Sequence, residues 1–92
     1  MKLGDKLKQL RLAKQLTQRQ VTAELNVAPS IYNRFERNER KIKKEMIPQL
    51  SNILDISIEE LNTFWVADQV CKLLECEQNP NAVLSIVKED LA

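Results

Sequence analysis

The sequence predicts an all-α fold of five helices carrying an additional C-terminal helical segment. Three observations point there. Only one of the 92 residues is Gly and three are Pro, while Leu, Lys, Glu and Gln are abundant, a composition that favours helices joined by tight turns over sheet. Apolar residues recur at spacings of three and four through most of the chain, the period of a helix with one buried face. Capping residues punctuate those runs at Thr17, Ser57 and Asn79, where helices are expected to begin.

Leu3, Leu7 and Leu10 fall at i, i+4 and i+7, and Ala13 continues the stripe, so a first helix is expected over residues 5–14. Thr17, with Gln20 three residues on, is a capping box; it opens a short second helix whose buried edge is Val21 and Leu25. Asn26 suits the left-handed residue that closes it. Pro29 fits the first position of a third helix reaching about Arg37, with Tyr32 and Phe35 buried. Two short helices split by so brief a turn must cross steeply. Residues 38–44, NERKIKK, hold four bases in seven residues with weak periodicity and read as a loop. Met46, Ile47, Leu50, Ile53 and Leu54 predict a fourth helix, with Pro48 tolerated in its first turn. Ser57 and Glu60 form a second capping box for a fifth helix that carries Ile58, Leu61 and Trp65 and continues to about Glu77. Asn79-Pro80 caps a last helix with Val83, Val87 and Leu91 on one stripe. The expected division is residues 1–64 as one domain and 65–92 as a helical extension.

A chain of 92 residues has room for one small domain with a modest core, a size at which self-association helps. No apolar run approaches the roughly 18 residues of a membrane span, and the charged start MKLGDKLKQL is not a secretory signal. A cytoplasmic protein without membrane contact is expected. Cys71 and Cys76 would sit about 140° apart around a helix, which does not suit a disulfide. With no His, no Gly-rich phosphate loop and no Cys/His ligand set, no catalytic residue, cofactor or metal is expected. The net charge of +1 conceals a division. Residues 1–44 hold twelve Lys/Arg against four Asp/Glu, a balance of +8, whereas residues 45–92 hold two against nine, a balance of −7. The first half suits a polyanion and the second some other role.

The segment from Leu16 to Arg40, LTQRQVTAELNVAPSIYNRFERNER, resembles the phage-repressor-like (XRE, Cro-type) helix-turn-helix family. That family shows Leu-Thr-Gln, a small residue and a leucine, a Gly-Val turn, the recognition helix, and an aromatic-Glu-Arg-Gly ending. The flanks LGDKLKQLRLAKQ and QLSNILDISIEEL are similar to its first helix and to its fourth and fifth, so the resemblance covers about residues 3–64. Asn26 and Asn38 stand where the family has glycine, Ala28 replaces a Ser/Thr cap, and Pro29 occupies a position from which many relatives contact bases. The loop before the fourth helix is about one residue longer than usual.

The resemblance implies a lambda-repressor-like domain whose third helix enters the major groove of double-stranded DNA. On that reading Ser30, Ile31, Asn33 and Arg34 contact bases. A thymine methyl suits Ile31, adenine suits Asn33 and guanine suits Arg34. Gln18, Arg19 and Pro29, with Arg40, Lys41, Lys43 and Lys44, would face the DNA backbone. Arg11 and Glu36 form the expected structural pair that locks the recognition helix. Trp65, Val70, Leu73, Leu74, Val83 and Val87 are expected to build a homodimer interface on a palindromic site. The implied function is transcriptional regulation, as a repressor or a restriction–modification controller. Two alternatives remain open on sequence alone: an antitoxin-type protein that binds a small protein partner, and a nucleic-acid binder without sequence preference.

Overall fold

The computed structural model describes all 92 residues and contains helices only. Helix α1 spans Leu3–Ala13, two residues earlier than the spacing predicts. Its first amide groups find partners far along the chain. Leu3 N–H donates to Asp68 Oδ2 at 3.1 Å and Gly4 N–H to Asn38 Oδ1 at 2.9 Å, while the Asp5 carboxylate accepts from Lys2 N–H at 3.2 Å. Helix starts leave such donors orphaned, and these distant acceptors carry no local sequence signal. Gly4 permits the approach, because a Cβ there would overlap the Phe35 carbonyl oxygen and the Asn38 amide.

Helix α2 (Gln18–Leu25) opens on the reciprocal capping box, Thr17 Oγ1 accepting from Gln20 N–H at 3.1 Å and Gln20 Oε1 from Thr17 N–H at 2.7 Å. It closes at Asn26, left-handed at φ 59°. Pro29 is the first residue of α3 (Pro29–Glu36), and Ala28 before it supplies no side-chain cap. A 3₁₀ turn at Lys44–Met46 leads into α4 (Ile47–Leu54), which ends at Asp55 with φ 56°. Helix α5 (Ile58–Leu74) starts with Ser57 Oγ accepting from Glu60 N–H at 3.1 Å, but the Glu60 carboxylate does not return the bond, so half of the predicted box forms. It also ends short of Glu77. Asn79 makes no side-chain cap on α6 (Pro80–Leu91), because its backbone, at φ −128° and ψ 69°, is not in a capping conformation.

The core is one cluster in which Leu7, Val21, Tyr32, Leu50, Leu54 and Leu61 are at most 1% exposed. Ala13 and Ile58 lie outside it, exposed, and Leu10 is half-buried. Ile42, within the basic segment 38–44, is buried instead. Its neighbours in sequence are all charged, so no period marks it. Past Asp68 the chain runs along the edge of this body, Gln69, Cys71 and Lys72 sharing a groove with Lys2 and Leu3, and the distal turns of α5 and the whole of α6 contain no buried residue. The Cα radius of gyration is 14.9 Å, against about 12 Å for a compact chain of this length. No helix is long and apolar enough to cross a membrane.

Candidate nucleic-acid interface

Helix α3 divides its residues between two faces. Tyr32 and Phe35 point inward, their rings packed edge-on with centroids 6.1 Å apart at 82°. Ser30, Arg34 and Arg37 fall at i, i+4 and i+7 and are all exposed, as is Pro29 at the helix start. Ile31 and Asn33 flank that stripe, each half-buried. Arg37 was not among the base- or backbone-contacting residues expected from sequence, although its spacing from Ser30 places it on the same stripe. Its guanidinium pairs with Glu39 at 3.1 Å on the surface, where such a pair contributes little.

The inner edge of α3 is held by a buried polar network. Arg11 Nε donates to Glu36 Oε2 at 2.7 Å and Arg11 Nη2 to Glu36 Oε1 at 3.0 Å, a two-point contact between α1 and α3. The remaining guanidinium nitrogen, Nη1, donates to the Leu16 carbonyl at 2.9 Å. Gln18 Nε2 donates to Glu36 Oε1 at 3.1 Å and to Asn33 Oδ1 at 3.2 Å, tying in the start of α2. Burial opposes ionisation of Glu36, but the hydrogen bonds it accepts, that from Arg11 foremost, outweigh burial and hold its carboxyl below the ordinary value. Hydrogen bonding to Glu36 likewise raises the Arg11 pKa despite burial. The Tyr32 hydroxyl is buried near this carboxylate without a hydrogen bond of ordinary geometry. Burial chiefly, with the neighbouring negative charge, pushes that phenol up.

Two further features border the exposed stripe. At the start of α2 the N–H groups of Gln18 and Arg19 have no partner in the chain, the arrangement that attracts an anion to a helix N-terminus. After α3, Glu39 and Arg40 N–H fold back onto the Arg34 carbonyl at 2.9 and 3.3 Å. The segment that follows exposes Arg40, Lys41, Lys43 and Lys44 while burying Ile42 between them. Trp65 Nε1–H donates to the Ile42 carbonyl at 3.0 Å, and the ammonium groups of Lys41 and Lys44 lie 4.8 and 5.8 Å from the centre of its ring.

Trp65 is therefore half-buried against its own chain. The other residues expected at a dimer interface lie elsewhere, on the distal part of α5 and on α6. Val70, Leu73, Val83 and Val87 are exposed there and Leu74 is half-buried. Val66, Ile86 and Leu91 add to the uncovered apolar surface. Cys71 and Cys76 are free thiols on the same segment.

The exposed stripe of α3 offers a guanidinium fork and a hydroxyl on a helix tied to α1 and α2 by its inner network. Such groups recognise planar acceptors and anions. Comparison with known proteins bears on the same region. The family model described as "Helix-turn-helix" matches residues 7–61, which contain α2, the turn and α3. The cryptic phage CTXphi transcriptional repressor RstR of Vibrio cholerae serotype O1 is 26% identical, over 99% of this chain and 88% of its own length. No solved structure matches the chain.

Proposed function

The chain belongs to the helix-turn-helix family, a DNA-binding transcriptional regulator on that ground, and we propose that it is a sequence-specific repressor that binds a palindromic duplex as a homodimer. The observation that carries this reading is the exposed Ser30–Arg34 face of a helix pinned from behind by Arg11, Glu36 and Gln18. A helix so held can enter the major groove without losing its register.

Within that reading Arg34 is the principal base reader, pairing bidentately with guanine, and Ser30 is the second. Ile31 contacts a thymine methyl. Asn33 pairs with adenine, its Oδ1 keeping a second lone pair beside the bond it accepts from Gln18. Arg40, Lys41, Lys43 and Lys44 neutralise phosphates, and the amides at the start of α2 hold one more. Similarity to a phage repressor supports repression over restriction–modification control. The apolar surface of distal α5 and α6 supports pairing of two copies there, which sets half-sites about one helical turn apart.

Selection of random duplex DNA against the purified protein, repeated over a salt series, tests the reading. A palindromic consensus is expected. With four loop bases per protomer, log affinity against log salt should fall with a slope approaching about −7 for the dimer. Enrichment without a consensus would leave a binder lacking sequence preference. Absence of binding at low salt, with a small basic protein co-purifying, would replace this reading by the antitoxin-type one.

A further inference from the structure

We propose that Trp65 is a positioning residue for the interface. It holds the basic segment 40–44 in its DNA-facing geometry and so couples that segment to α5. The inference rests on the regulator reading above and adds a residue outside the helix-turn-helix motif.

A segment with four bases in five positions has little of its own to order it. Mutual repulsion extends it, and long side chains lose rotamer freedom when a phosphate fixes them. Here one side chain, 23 positions away, gathers the segment from three directions. The indole N–H holds the main chain at the Ile42 carbonyl, at 3.0 Å. The ring receives Lys41 and Lys44, at 4.8 and 5.8 Å. Ile42, 2% exposed, anchors the same peptide in the core. An ammonium resting on a ring face keeps donors free for a phosphate, so the two lysines are placed without being spent. Their orientation is settled before DNA arrives, which lowers the ordering cost of binding.

The test compares wild type, Trp65→Phe and Trp65→Leu with a random-sequence 20-base-pair duplex across salt, each alone and combined with Lys41→Met and Lys44→Met. In the wild-type background the lysine substitutions should flatten the salt slope by about 2–4. Trp65→Leu, whose lysines keep their charge, should lower affinity several-fold at every salt with the slope retained, and the lysine substitutions should then cost less than they cost wild type. Trp65→Phe should fall between. Additive effects on affinity, or an unchanged affinity in a folded Trp65→Leu protein, would overturn the proposal. Backbone ¹⁵N relaxation of residues 41–44 in the free protein gives a readout without DNA. Ordered in wild type and mobile in Trp65→Leu is expected, and equal order in both overturns the positioning role. If wild type binds no duplex, the regulator reading fails first, and relaxation alone decides what Trp65 holds.

Discussion

Arg11 and Glu36 show how much one pair of side chains can carry. Both are buried, and Gln18 and the Leu16 carbonyl satisfy what the two leave over. Removing one partner strands the other, so Arg11→Met should cost about 3 kcal/mol in urea unfolding, and the double change with Glu36→Met less than the sum of the single changes. The pH dependence follows from the lowered carboxyl pKa of Glu36. Its contribution is complete above the ordinary value of 4.5 and is lost as pH falls through the lower folded value. Stability should therefore decline on acidification below about 4.5, and Glu36→Gln should flatten that decline. An equal acid limb in both proteins would place the titrating group elsewhere. The pairing was legible only through resemblance to a family, since 25 positions separate its members and no local spacing joins them.

The elements divide by whether their determinants are local. The Thr17–Gln20 box, Asn26 as a left-handed stop and Pro29 at a helix start each act within three or four residues, and each is readable from sequence. The start of α1 is not, because Asp68 and Asn38 supply its caps from 65 and 34 positions away. Burial of Ile42 is illegible for the same reason: its main-chain partner is Trp65. Helix ends also differ in what they tolerate. Gln15 closes α1 at φ 57° with no backbone reason to be anything but glycine. Gln15→Gly should raise stability by about 0.5–1 kcal/mol. Asn38, at φ 60°, is different, because its amide also accepts from Gly4 N–H and donates to Asp5. Asn38→Gly relieves the same backbone yet should destabilise by about 1 kcal/mol. Thermal melts of the two variants moving in one direction would contradict this distinction.

At the scale of the molecule, the basic residues gather in the first half of the chain and the acidic ones in the second. The body packs around one cluster, while distal α5 and α6 leave Val70, Leu73, Val83, Ile86 and Val87 uncovered. Apolar patches of this kind mark surfaces that meet another molecule. Leu73 is 75% exposed, so Leu73→Glu should alter monomer stability by no more than about 0.5 kcal/mol while shifting sedimentation from dimer to monomer. Unchanged sedimentation would show that this surface does not pair two copies. Sequence patterning showed that these residues form helical stripes, but not that the stripes stay uncovered, because exposure depends on how α6 sits against the rest.

In the proposed function, Arg34 reads a base from a helix tied to α1 and α2 through Glu36. The decisive measurement is the affinity of wild type and Arg34→Ala for the selected duplex and for a scrambled duplex at one salt concentration. A loss of about 5- to 150-fold on the selected duplex, with little change on the scrambled one, is the predicted result. An equal loss on both would make Arg34 a phosphate contact and contradict the claim that this face reads sequence.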